Sequence, residues 1–258
     1  MRELTLQSML STDAGQQFND EQIIFPIIIF IPELKKFKCV GTGFFITPLG
    51  GFVTARHVLF DNNGKGYPNY YGIQKLSSSE PVTRIIRQLH YHPKADIAIG
   101  MLSEGYDGMA IPKEHEFAPP LTLSFKQKHV AGEEITTFGY PNTLLENDEP
   151  KHHFTFRGSW STGKLVDILD ESPLVKNKCF QTTMYFDHGT SGGPVFKDGK
   201  VIAVNSSCMN TMQDEEPISF VTPIHYLLDM KFESDGSEIV VRDLVRDGFV
   251  AGIFDDPA

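Results

Sequence analysis

The chain has 258 residues, of which 40% are hydrophobic and 22% charged, which is the balance of an ordinary globular protein with enough apolar material for a sizeable core. Its formal net charge is −10, and no run of Lys and Arg supplies the concentrated basic face that a phosphate backbone needs, so no nucleic-acid partner is expected. The most apolar stretch, residues 23–31, is about half as long as a membrane span and contains Pro26, so it reads as a buried strand and no membrane partner is expected either.

Residues 1–22 read as a polar N-terminal extension with room for a short helix. Its first ten residues combine too short an apolar segment with too early an acid for a secretory signal. Alternating and apolar runs then predict strands over 23–31, 38–46 and 51–55, the last two linked by the turn Thr47-Pro48-Leu49-Gly50. A loop rich in Asn and Gly occupies 61–70, and strands near 71–76, 82–90 and 96–102 complete a set of six. Residues 103–120 carry Pro112, Pro119 and Pro120 and lack periodicity, which suits a linker.

The second half resumes at Leu121. A strand is expected over 134–140, a polar exposed loop over 143–153, and a strand pair over 155–168 with Gly163 between its members. Further strands are expected at 179–183, 200–206 and 218–222, with a turn at Asp198-Gly199. Residues 223–230 open with Pro223 and place Ile224, Leu227 and Leu228 on one face, which predicts a short C-terminal helix. A second short helix is expected within 240–250. Cys39, Cys179 and Cys208 form an odd set with no Cys or His at ligand spacing, so neither a metal site nor a cofactor is expected, and a reduced, cytoplasmic protein is.

Three segments carry chemistry. Asp187-His188-Gly189-Thr190-Ser191-Gly192-Gly193-Pro194 places three glycines around one serine in a tight turn that can present a hydroxyl nucleophile. Such a hydroxyl needs a base and an acid to orient it. Phe52-Val53-Thr54-Ala55-Arg56-His57-Val58 offers the base, and His92-Pro93-Lys94-Ala95-Asp96-Ile97-Ala98-Ile99 the acid.

With these motifs in the order His, Asp, Ser, residues 23–230 resemble the trypsin-like (chymotrypsin-fold) serine proteases. The run Phe138-Gly139-Tyr140-Pro141 is similar to their Deg-type (high-temperature-requirement) branch, without its peptide-binding module. The resemblance implies an all-β fold of two six-stranded antiparallel Greek-key barrels with a short C-terminal helix. The first barrel with its linker would span 23–120 and hold His57 and Asp96, and the second would span 121–230 and hold Ser191. Residues 231–258 would be a tail of no assigned role.

The same resemblance assigns roles. Ser191 attacks the scissile carbonyl, His57 is general base and then acid, and Asp96 orients the imidazole; the amides of Gly189 and Ser191 form the oxyanion hole. Ser206 bonds either Asp96 or water, and Ser206, Ser207 and Cys208 pair with the substrate as an added strand. The pocket for the residue before the scissile bond is expected to have Tyr185 as its floor, Ile218 as its far wall, His188 at its entrance, and Asn205 where glutamate-specific relatives use a His. It should then be shallow and uncharged and prefer small or medium apolar residues, unless the Asp187 carboxylate turns in. Secreted relatives have cysteines at the positions of Val58 and Asp187 and an activating Asp at Thr190. Zymogen cleavage is therefore not expected, and control by a regulatory protein partner or by loop ordering is. The expected function is that of a serine endopeptidase acting on polypeptides. An inactive binding module of the same fold, or an esterase-type hydrolase with the same triad, is the alternative.

Overall fold

The structure, a computed structural model, describes residues 9–11, 17–61, 63–67, 69–75, 81–105, 120–126, 128–141, 143–148, 151–209, 217–234 and 237–254. The branched and aromatic runs of the first half form β1 (Ile24–Ile31), β2 (Lys36–Phe45), β3 (Gly51–Thr54), β4 (Tyr70–Gln74), β5 (Val82–Tyr91) and β6 (Ala98–Gly105). They close into a barrel in the order β1-β2-β3-β6-β5-β4, with β4 returning to β1 at Tyr71 opposite Ile28. Phe25, Phe44, Phe45 and Phe52 fill its interior, the Phe25 ring lying 4.9 Å from Phe45 and 5.4 Å from Phe52. Such aromatic edges and faces add to what burial alone contributes.

The second half supplies β7 (Leu123–Ser124), β8 (Glu134–Gly139), β9 (Ser159–Leu169), β10 (Cys179–Thr182), β11 (Pro194–Lys197), β12 (Lys200–Met209) and β13 (Ile218–Pro223). Six of these close the ring β8-β9-β10-β13-β12-β11, every neighbouring pair antiparallel. The expected double barrel is thus the observed fold. Strand β7 lies outside the ring, parallel to β12 at Val201, and β14 (Gly252–Ile253) lies parallel to β7.

Several elements differ in detail from their sequence reading. Within the stretch expected to be a loop, Leu144–Asp148 pairs antiparallel with Lys151–Thr155. Gly163 does not separate two strands but sits within β9 opposite Ile135. Asp96 precedes β6 rather than starting it, because His92 and Ile97 close a turn through a 3.0 Å backbone bond. Most of the linker at 103–120 lies outside the described residues. The segment after β13 is a 3₁₀ helix, Ile224–Asp229, and Val241–Arg246 is the second short helix. All three cysteines are free. Among the described residues no helix is long and apolar enough to cross a membrane.

The C-terminal segment closes the seam between the barrels. One apolar cluster runs from the first barrel through Leu121, Leu123 and Phe125 to Val201, Leu227 and Val250. The amides of Leu123 and Phe125 donate to the carbonyls of Ala251 and Ile253 at 2.8 Å each, and the Phe125 and Phe254 rings stack. Val250 is fully buried in this cluster. Val250→Ala is therefore expected to lower stability by about 2 kcal/mol, the cost of lost apolar transfer plus a small cavity. Urea unfolding would report this as a lower midpoint at an unchanged slope.

Candidate active site

His57 stands on the single helical turn Arg56–Leu59 that follows β3, and Asp96 stands in the turn that connects β5 to β6. Because β3 and β6 are hydrogen-bonded neighbours, with Thr54 opposite Ala98, the two side chains meet at one end of the first barrel. Nδ1 of His57 lies 2.9 Å from Oδ2 and 3.1 Å from Oδ1 of Asp96, and the His57 backbone amide donates to Oδ1 at 3.1 Å. The ring therefore carries its proton on Nδ1 and leaves Nε2 as the acceptor. The His57 side chain stays 45% exposed while that of Asp96 is 19% exposed, so the imidazole is open and the carboxylate is covered. Burial alone would lower the His57 pKa, but the Asp96 charge and hydrogen bond outweigh it and hold the value above the ordinary one. Burial pushes the Asp96 carboxyl up, and the His57 charge, the His57 bonds and the Ser206 hydroxyl together hold it below its usual value.

A closed set of bonds surrounds Asp96. Its amide donates to Asn177 Oδ1 at 3.0 Å; the Asn177 amide group reaches Thr222 Oγ1 at 3.4 Å; Thr222 Oγ1 lies 2.7 Å from Ser206 Oγ; and Ser206 bonds the Asp96 carboxylate. Ser206 can face Asp96 because β12 bulges there: Asn205 pairs with Val221 and Ser207 with Phe220, which leaves Ser206 as the extra residue. Bulges commonly re-aim a side chain in this way.

Ser191 sits between β10 and β11, on the second barrel. The Thr190 amide donates to Asp187 O at 3.1 Å, and Gly189 has φ +98 at the third position of that turn, as a type II turn requires. A Cβ on Gly189 would lie 2.3 Å from Tyr140 O. Gly192 has φ +84, and a Cβ there would lie 2.0 Å from Thr54 Oγ1 and 2.3 Å from Thr42 O. The loop thus docks against the first barrel with no room for a side chain. Its other side is tied to β12 by Gly192 N to Asn205 O at 2.8 Å. Among the described residues neither the Gly189 nor the Ser191 amide donates to an acceptor.

His57 and Ser191 line one cleft of about 520 Å³, together with Tyr185, Asp187, His188 and Leu174. Ser206, Ser207 and Cys208 also face it. Two expected pocket residues are elsewhere. Asn205 is fully buried under the nucleophile loop, its amide group bonded to Thr137 Oγ1 at 2.7 Å and Thr190 O at 3.2 Å. Ile218 pairs with Met209 and packs on the Val175, Cys179 and Phe220 cluster. Tyr185 is 63% exposed, so it forms the rim and not the floor. His188 lines the cleft, as expected of the entrance, and Asp187 lines it too; the Asp187 charge adds to burial in raising the Cys208 thiol.

The family model of the trypsin-like peptidase domain matches residues 41–204, the span that contains these three side chains. The chain belongs to the trypsin-like peptidases. Solved structures of similar fold include Deg5, at 17% identity and a TM-score of 0.56 over 80% of this chain and 85% of that one. The Rv3671c protease of M. tuberculosis in its active form aligns at 19% identity and a TM-score of 0.53, covering 80% and 78% of the two chains. The HtrA-type protease AlgWS227A with tripeptide aligns at 15% identity and a TM-score of 0.57, covering 89% of this chain and 62% of that one. At these identities the likeness is one of fold. No curated protein sequence matches the chain.

Sequence reasoning missed Asn177, Leu174 and the role of Thr42. The first two lie in a connection without a motif, and only the folded chain brings them to the site. Thr42 lies in the strand expected over 38–46 but was assigned no role. Its amide donates to Ser191 O at 2.8 Å, its hydroxyl donates to Gly189 O at 2.7 Å, and the same hydroxyl accepts from Tyr140 N at 3.3 Å. Thr42→Val keeps the shape but leaves a buried carbonyl and amide unpaired, a cost of about 1–3 kcal/mol. Urea unfolding is expected to show that loss, and labelling of Ser191 by a fluorophosphonate should slow roughly tenfold or more as the loop loses its aim.

Proposed function

We propose that this trypsin-like peptidase is a serine endopeptidase that works through Ser191, His57 and Asp96. The observation that carries the reading is the convergence of the His57–Asp96 pair and Ser191 on one cleft, with the Gly189 and Ser191 amides left without partners among the described residues. His57 Nε2 takes the Ser191 proton as Oγ attacks the carbonyl, and returns it to the leaving amine. Asp96 keeps the proton on Nδ1 and stabilises the imidazolium. The two amides receive the developing oxyanion, each worth roughly 3 kcal/mol of barrier. An acyl-enzyme links the two halves of the reaction, and water releases it.

The substrate is an extended polypeptide laid along Ser206, Ser207 and Cys208 as an added strand, which binds backbone without reading sequence. The neighbour described as an HtrA-type protease with tripeptide supports this choice by fold alone. Control comes from a protein partner or from loop ordering, since Thr190 stands where secreted relatives carry their activating Asp. Three free thiols suit a reducing compartment, in keeping with a cytoplasmic protein.

Fluorophosphonate labelling and hydrolysis of labelled, unfolded casein test the reading. Ser191→Ala and His57→Ala should each abolish both signals, with a loss of roughly 10⁴-fold or more, while circular dichroism stays native. Turnover of casein by Ser191→Ala at the wild-type rate would refute it. The pH dependence follows from the His57 charge state, because only neutral His57 accepts a proton. With its pKa held above the ordinary histidine value, kcat/KM should rise with pH through an apparent pKa on the same high side. Asp96→Asn removes the charge that raises it, so the limb should move to lower pH while kcat drops by roughly 10⁴-fold.

A further inference from the structure

Asp96 is held from behind by a histidine that the chemistry above does not use. His92 begins the turn that carries Asp96, and the residue is only 7% exposed. Nδ1 of His92 accepts two backbone hydrogen bonds, from Lys94 N at 3.1 Å and from Ala95 N at 2.9 Å. The His92 amide in turn donates to Ile97 O at 3.0 Å, so one residue ties the turn at both ends. Since both partners of Nδ1 are N–H donors, that nitrogen must hold a lone pair and the ring proton must sit on Nε2. This is the geometry in which an Asn or Asp side-chain oxygen caps a turn, with an imidazole nitrogen in the place of Oδ1. An Asn oxygen cannot be protonated near neutral pH, and the imidazole nitrogen can.

We propose that His92 is the positioning residue of Asp96, and that a proton on its Nδ1 breaks both bonds and releases the turn, so that the site is disassembled in acid. The proposal rests on the triad reading above. The groups that face the ring are known. Lys94 lies on its own turn, while Asp229, His225 and the Tyr226 ring, 5.1 Å away, come from the 3₁₀ helix Ile224–Asp229. Burial lowers the His92 pKa, Asp229 raises it and Lys94 lowers it, with a net shift downward. The sign follows. The open turn binds the proton better than the closed one, so the closed turn is fully favoured above the ordinary histidine pKa and loses that preference as pH falls below it.

Wild type, His92→Asn and His92→Ala are compared from pH 4.5 to 8.5 by the second-order rate of fluorophosphonate labelling and by the amide NMR signals of Lys94, Ala95 and Asp96. In wild type the logarithm of the rate should approach a slope of two on the acid side, one proton on His57 and one on His92. His92→Asn keeps an acceptor at the same place, so it should label at close to the wild-type rate at pH 8 and show a slope of one. His92→Ala should label roughly tenfold more slowly even at pH 8. The three amides should titrate together in wild type, with a midpoint below the ordinary histidine pKa, and should be flat in His92→Asn. A wild-type slope of one, or amides that stay unmoved while the His92 ring titrates, would overturn the proposal. If no variant labels at all, the triad reading fails, and the amide titration still decides whether His92 holds the turn.

Discussion

The site depends on the docking of one loop against a barrel to which it does not belong. Ser191 comes from the second barrel and His57 from the first, so their relative position is only as good as the contact between them. Thr42 makes that contact. Its amide holds the Ser191 carbonyl, its hydroxyl holds the Gly189 carbonyl and receives the Tyr140 amide, and its own carbonyl accepts from Thr54 Oγ1 at 2.7 Å. Thr42, Thr54 and Tyr140 are buried and Gly189 and Ser191 half-buried, so an unpaired partner is costly and the arrangement tolerates little movement. The absence of a side chain at Gly192 lets the loop approach this closely. Tyr140 extends the clamp, since its hydroxyl donates to Ile24 O at 2.6 Å on β1. The nucleophile loop, the turn after β8 and two strands of the first barrel are thereby fixed as one body.

A second constraint acts on the acid. In the proposed triad Asp96 must be charged to serve His57, yet it is largely covered, and burial works against its charge. The structure offsets this with three donors, the His57 ring, the His57 amide and the Ser206 hydroxyl, while Asn177 Oδ1 accepts from the Asp96 amide and fixes its backbone. Asn177 and Ser206 both belong to the second barrel, so the acid is clamped across the same interface as the nucleophile. The bulge in β12 makes this possible. It leaves Ser206 as the extra residue, which bonds Thr222 and Asp96, next to Asn205, which is buried under the Ser191 loop.

Much of this was legible in the sequence, for a physical reason. The strands of both barrels are read from alternation and branched residues because each strand buries a face, and the three chemical side chains are read because their flanks must make particular turns. What was not legible is set by distance along the chain. The bond between Asn177 and Asp96 joins residues 81 apart, and that between Thr42 and Gly189 joins residues 147 apart. Neither leaves a local pattern. The pocket suffered in the same way. Asn205 and Ile218 were placed by the positions that relatives use, which say nothing of how this chain packs there, and the residues that line the cleft include Leu174 from a connection with no motif.

The tail completes the logic of a site split between two bodies. Residues 241–254 place Val241, Val245 and Val250 in the cluster that joins the barrels, and β14 extends the second sheet through β7. Burying apolar side chains at that seam contributes about 25 cal/mol for each Å² removed from water, without any demand on direction. The polar bonds at Thr42 and Asp96 have the opposite character: they contribute little net energy but accept only one geometry. The seam therefore supplies the affinity between the barrels and the buried polar groups supply the register. Loosening the first would let the halves move apart, whereas loosening the second would leave them together with Ser191 and His57 out of line.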